Sequence, residues 1–135
     1  MTDSAQLFDR ISVYRAALDR LREALAQPET AFMRDAIIQR FEFTFELAWK
    51  VLRLALRFHQ IEVQSPKEAL REAFSFGLIS SGDGWTRLQK ERNLTSHTYD
   101  EQAAIELVAF LRAEGLSLFT ALEQKLDALQ ARGVL

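Results

Sequence analysis

Between about Thr30 and Phe58 the sequence holds neither glycine nor proline. A run of about 29 residues without either breaker reads as one helix, roughly 43 Å long at the standard rise. Phe41, Phe45, Ala48, Leu52 and Leu56 recur at helical spacing along one side, and Phe43, Leu47, Val51, Leu54 and Phe58 along another. Only Asp35, Gln39, Glu42, Glu46, Lys50, Arg53 and Arg57 form a polar strip, in which Glu46 stands four residues before Lys50 as a favourable helix pair. A helix apolar on most of its circumference sits at the centre of its domain, or is shared between the core and a partner surface. The pattern leaves both open, and the second predicts a symmetric dimer.

The flanking segments read as further helices. Leu7, Ile11, Tyr14, Leu18, Leu21 and Leu25 make a single stripe at alternating spacings of four and three. Gln27-Pro28-Glu29-Thr30 breaks it. After Phe58 the period is lost, and His59 reads as a surface residue, with no second imidazole or thiolate nearby to make it a metal ligand. Ser65-Pro66-Lys67-Glu68 combines a capping serine, a first-turn proline and a glutamate three residues after the cap. The helix it starts should turn Ala69, Leu70, Ala73 and Phe74 inward and stop at Gly77, with Leu78-Ile79 folding back as an apolar return. Ser80-Ser81-Gly82-Asp83-Gly84 is turn chemistry, and a helix from Trp85 to about Asn93 should bury Trp85 and Leu88.

Thr98 with Glu101 three residues later is a second capping signature. It predicts a last helix starting near Thr98 and running through Ala104, Val108, Leu111, Gly115, Leu118, Leu122, Lys125 and Leu129, nearly in heptad register. Gly115 in that seam fits close approach of another helix, or a tolerated weak point. No segment alternates as a strand would. The expected fold is all-α: three long and two short helices in an up-and-down bundle, one domain over residues 1–135.

Composition narrows the chemistry. Without cysteine there is no disulfide, no thiolate metal site and no cysteine nucleophile, and two histidines leave little for a histidine metal site. Neither a metal nor a cofactor is expected. A net charge of −2 gives no global attraction to nucleic acid or anionic membrane. No apolar run approaches the roughly 20 residues of a membrane span, and the N-terminus lacks the basic and apolar regions of a signal peptide, so a cytoplasmic protein is expected.

One stretch carries chemistry: Arg92-Asn93-Leu94-Thr95-Ser96-His97-Thr98-Tyr99. It gathers a guanidinium, an imidazole and a phenol, each able to meet a phosphate. In an unbroken helix Arg92 and His97 would stand about 140° apart and could not converge on a small group. The capping signal at Thr98 implies a bend between them, with Arg92 closing one helix and His97 just ahead of the next. There the helix N-terminus favours a neutral imidazole, suited to a general base, and favours a bound phosphate. Spacing alone favours the plainer arrangement, with Arg92 paired to Asp83 or Asp100 and His97 filling a turn.

This stretch resembles the R-x4-H-x-Y signature of the HEPN superfamily, including the polar residue after the arginine. Ile38-Gln39-Arg40-Phe41-Glu42-Phe43-Thr44-Phe45-Glu46-Leu47-Ala48-Trp49-Lys50 and Ser65-Pro66-Lys67-Glu68 resemble the branch called the nucleotidyltransferase substrate-binding protein family. The resemblance implies a helical bundle that forms a homodimer and works with a minimal nucleotidyltransferase as partner. It also implies a metal-independent ribonuclease toxin with Arg92, Asn93 and His97 in the catalytic roles, its RNA cleavage silenced by AMPylation of Tyr99. The alternative is a non-catalytic subunit that binds the substrate, a nucleotide, for the nucleotidyltransferase. The chain is not itself that enzyme, because it lacks a Gly-Ser phosphate loop followed by an Asp-x-Asp pair.

Overall fold

A computed structural model describes residues 3–95 and 100–135. Helices α1 (Asp3–Leu25), α2 (Ala31–Phe58), α3 (Pro66–Phe76) and α4 (Gly82–Thr95) are followed by α5 (Glu101–Phe110), a π-helical turn (Leu111–Gly115) and α6 (Leu116–Ala131). The last three run on without a break, so the architecture is five helical rods, with no strand among the described residues. No described helix is long and apolar enough to cross a membrane.

α2 is the central rod. It packs against α1, α3, α4 and α5, and its first stripe, Phe41, Phe45, Ala48, Leu52 and Leu56, is fully buried. Thr30 starts it: the hydroxyl accepts from the Met33 N–H at 3.1 Å. The second stripe divides. Val51 and Leu54 belong to the core, whereas Phe43 stands 61% exposed. The polar strip also departs from expectation, because Glu46 faces Trp49 and Arg92 rather than Lys50.

α1 buries its whole predicted stripe, Leu7 to Leu25. α3 is bounded as the residues dictate. The Ser65 hydroxyl accepts from Glu68 N–H, Pro66 takes the first turn, and Gly77 closes the helix at φ +91°, a left-handed conformation that costs a glycine little. Phe74 lies on the exposed side of α3 and half-covers Gly82, contrary to the inward place expected for it. Leu78 and Ile79 do fold back into the core.

The last rod differs from expectation twice. Its N-cap is Asp100, whose carboxylate accepts from Gln102 N–H at 3.0 Å, so the helix begins at Glu101 and not near Thr98. The cause is local: aspartate caps as well as threonine and lies nearer the apolar run. The π turn then adds a residue to the seam. After Ala104, Val108, Leu111 and Gly115 the buried positions are Phe119, Leu122 and Leu126, where a strict heptad placed Leu118 and Lys125. Gly115 sits in that turn, where a Cβ would come within 3.4 Å of Leu88 on α4 and 2.8 Å of Leu111. Its role is the close approach of another helix.

Tyr14 ties the first rod to the last. Its hydroxyl, fully buried, donates to the Phe119 carbonyl at 2.7 Å. Tyr14→Phe should cost about 0.5–1.5 kcal/mol by removing that buried hydrogen bond. Burial holds the phenol well above its ordinary value of 10.0; the charge of Glu123 pushes the same way and Arg22 opposes. The unfolded chain therefore loses this proton first as pH rises. Stability from this group is intact below about pH 10 and falls above it. Urea midpoints between about pH 9 and 11 should drop less steeply for Tyr14→Phe than for the natural chain; parallel curves would refute the linkage.

Candidate functional site

Arg92 is brought to its place by α4. The Ser81 hydroxyl accepts from Gly84 N–H at 3.1 Å at the start of that helix. Trp85 and Leu88 are buried, and Arg92 follows them at the spacing that keeps one helix face. It lies in the last turn, where a cation suits the partial negative charge of the helix end. The Thr95 hydroxyl donates to the Arg92 carbonyl at 2.7 Å, satisfying one of the carbonyls left over there.

The face that carries Arg92 meets α2, and its partners come from that helix, not from Asp83 or Asp100. Arg92 Nη1 is 3.1 Å from Glu42 Oε2, and Nε is 3.6 Å from Glu46 Oε1. Glu42 and Glu46 are one helical turn apart and point the same way. Glu46 has a second hold, since its Oε2 accepts from the Trp49 indole at 3.1 Å. Arg53 in turn lies 5.2 Å from the centre of the Trp49 ring. Around the guanidinium is a shallow cavity of about 310 Å³ lined by Gln39, Glu42, Phe43, Glu46 and Arg92.

The far end of the motif is tethered to the same helix. Arg34 of α2 reaches Glu101, the first residue of α5, at 2.9 Å, and also Glu29 at 3.0 Å. Both ends of the stretch from Arg92 to Asp100 are thus tied to α2 by ion pairs. Asn93 follows Arg92 on the exposed side of α4. His97 and Tyr99 lie outside the described residues, as do Ser96 and Thr98. Among the described residues no cluster of histidine and carboxylate side chains could hold a metal ion. His59 lies remote from all this at the end of α2, with ring centres 5.4 Å from Phe58 and 4.7 Å from Phe76.

Sequence reasoning placed Glu42 and Glu46 only on a polar strip and did not single out Arg34. Two carboxylates one turn apart on a central helix, facing a lone arginine elsewhere, were the available signal for the first two.

Three comparisons bear on what this bundle is. It superimposes on a protein from Thermus thermophilus, 34% identical, with TM-score 0.75 over 86% of this chain and 98% of that one. It also superimposes at TM-score 0.75 on a tri-AMPylated HEPN toxin of Shewanella oneidensis solved with its MNT antitoxin, over 90% of this chain and 96% of that one. At 16% identity that likeness speaks to the fold alone. A protein named probable ribonuclease HepT from Haemophilus influenzae is 39% identical over 77 residues, which is 53% of this chain and about half (53%) of that relative's length. The all-helical architecture is the HEPN fold. Within it, the chain belongs to the family described as nucleotidyltransferase substrate binding protein like, whose pattern matches residues 9–128.

Proposed function

We propose that this protein is the toxin half of a two-protein system: a metal-independent ribonuclease silenced when a minimal nucleotidyltransferase partner transfers AMP to Tyr99. The observation that carries this reading is the setting of Arg92. It closes α4 beside an open cavity, five residues ahead of His97, and α4 ends at Thr95 before α5 begins at Glu101. The motif therefore begins on α4 and leads to the Asp100 cap of a separate helix. The ribonuclease name of the Haemophilus relative and the AMPylated state of the Shewanella toxin support the two halves of the proposal.

In the proposed reaction the 2′-OH of RNA attacks the adjacent phosphorus, the bond to the 5′ oxygen breaks, and a 2′,3′-cyclic phosphate and a 5′-OH are left. His97 takes the proton from the 2′-OH or gives one to the leaving oxygen. Arg92 opposes the charge that gathers on the phosphate, and Asn93 adds a donor. One imidazole is poorly placed to serve as both acid and base, so a second copy of the chain supplies the other. A groove of Val13, Ala16, Ala17, Arg20, Gln39, Arg40, Phe43 and Leu47 suits that homodimer. A monomer by sedimentation at about tens of micromolar would overturn the dimer.

Silencing follows from charge and bulk. The Tyr99 oxygen attacks the α-phosphorus of ATP and pyrophosphate leaves, which adds an anion and an adenosine close to Arg92. The experiment uses the purified chain on RNA in EDTA, before and after incubation with its nucleotidyltransferase, ATP and magnesium. Cutting before, a mass gain of one or more AMP units, and no cutting after are expected. A mass gain that persists in Tyr99→Phe, or intact RNA throughout, refutes the proposal.

A second reading has its own observation. The description of the matching family as nucleotidyltransferase substrate binding protein like supports a non-catalytic subunit that holds a nucleotide for the transferase. Inert RNA together with measurable affinity for ATP would favour it.

A further inference from the structure

Among the described residues lining the motif cavity, a single arginine faces two carboxylates, a net negative side-chain charge and a poor start for binding a phosphodiester. The two carboxylates are not equivalent. Glu46 is anchored twice, by Arg92 and by the Trp49 indole, and its approach to the guanidinium at 3.6 Å is longer than a hydrogen bond. Both side chains reach water, Glu42 at 32% and Glu46 at 39%, so the difference lies in their partners: among the described residues Glu42 is held by Arg92 alone, at 3.1 Å. It can swing into water without giving up a second partner.

We propose that Glu42 is an exchangeable latch on Arg92 and Glu46 its fixed support. A backbone phosphate of single-stranded RNA takes the place of Glu42 on Nη1, while Glu46 keeps the guanidinium aimed. The exchange trades one charge-assisted hydrogen bond for another of the same kind. It also keeps two anions around the guanidinium where an added phosphate would make three. The latch sets a threshold: a weakly held or solitary anion does not displace Glu42, whereas a strand with neighbouring contacts does. This inference rests on the ribonuclease reading for the identity of the anion, but not on cleavage.

The test measures binding of a fully 2′-O-methylated oligoribonucleotide, which has no 2′-OH and cannot be cut by this chemistry. Glu42→Gln should bind it roughly three- to tenfold more tightly than the natural chain at low salt, the gap narrowing as salt rises. Glu42→Ala separates charge from shape and should show a gain of the same sign. Glu62→Gln, the same charge change at an exposed residue paired with Arg57, should leave affinity alone. In an Arg92→Ala background the gain from Glu42→Gln should shrink by at least about half, because the latch has nothing to hold. Equal or weaker binding by Glu42→Gln, an equal gain from Glu62→Gln, an undiminished gain without Arg92, or no binding by any variant each overturns the latch. Tighter binding by Glu42→Gln with no cleavage of natural RNA by any variant leaves the latch standing and removes the ribonuclease reading.

Discussion

Phe119→Ala should cost about 3–5 kcal/mol of folding stability, a large part of what a domain of this size possesses. Phe119 is fully buried where several rods meet. Its ring stands edge-on to Trp85 of α4, centres 5.5 Å apart at 90°, and 6.2 Å from Phe41 of α2. Its carbonyl receives the Tyr14 hydroxyl of α1. The truncation leaves a void bounded by large rings on separate helices, which cannot all close in together. The companion substitutions test the π turn. Leu126→Ala should cost about 2–5 kcal/mol, whereas Lys125→Ala should stay within about 0.5 kcal/mol of the natural chain. A strict heptad through Gly115 reverses that order. Urea unfolding with a common slope measures all three, and a Lys125→Ala penalty matching Leu126→Ala would mean the extra residue of the π turn is not there.

That comparison shows where the sequence was legible. Local chemistry was readable wherever a residue type decides its own backbone. Ser65 and Pro66 start α3, Gly77 ends it, and the stripe from Leu7 to Leu25 buries itself on α1. The π turn was not readable. An inserted residue leaves no mark in the periodicity of a rod whose two halves are each regular, and Gly115 was compatible with either register. Phe43 and Val51 belonged to one predicted stripe, yet one is exposed and the other buried, because the neighbours that cover a helix come from remote parts of the chain. The motif stretch was legible as a chemical candidate only through the family resemblance, since its spacing alone suited a scaffolding role. Its support was not. Glu42 and Glu46 reach Arg92 only because α4 lies along α2, and helical spacing assigned Glu46 to Lys50 on its own helix. Local pairing rules state what is possible on one helix; tertiary packing decided which possibility was taken.

His97→Ala should lower RNA cleavage by about 10²–10⁴-fold, the range for loss of a positioned acid–base group, while the thermal unfolding curve stays near that of the natural chain. Within the proposed ribonuclease, His97 falls between the end of α4 at Thr95 and the Asp100 cap of α5, two points fixed by the fold. The polar groups on either side offer no substitute. Guanidinium groups do not release protons near neutral pH, and Glu46 is engaged with Arg92 and the Trp49 indole. The other histidine cannot stand in. His59 is about 20 Å further along α2 than Glu46, with its ring against Phe58 and Phe76. His59→Ala is therefore the matched control and should cut RNA at the natural rate. The assay is run in EDTA on separately purified proteins, with products analysed for a 2′,3′-cyclic phosphate end. Equal cutting by the natural chain, His59→Ala and His97→Ala would expose a contaminating nuclease. Loss of cutting in both histidine variants would point to damaged folding at the end of α2. Only loss confined to His97→Ala, with the fold intact, makes this imidazole the proton carrier of the reaction.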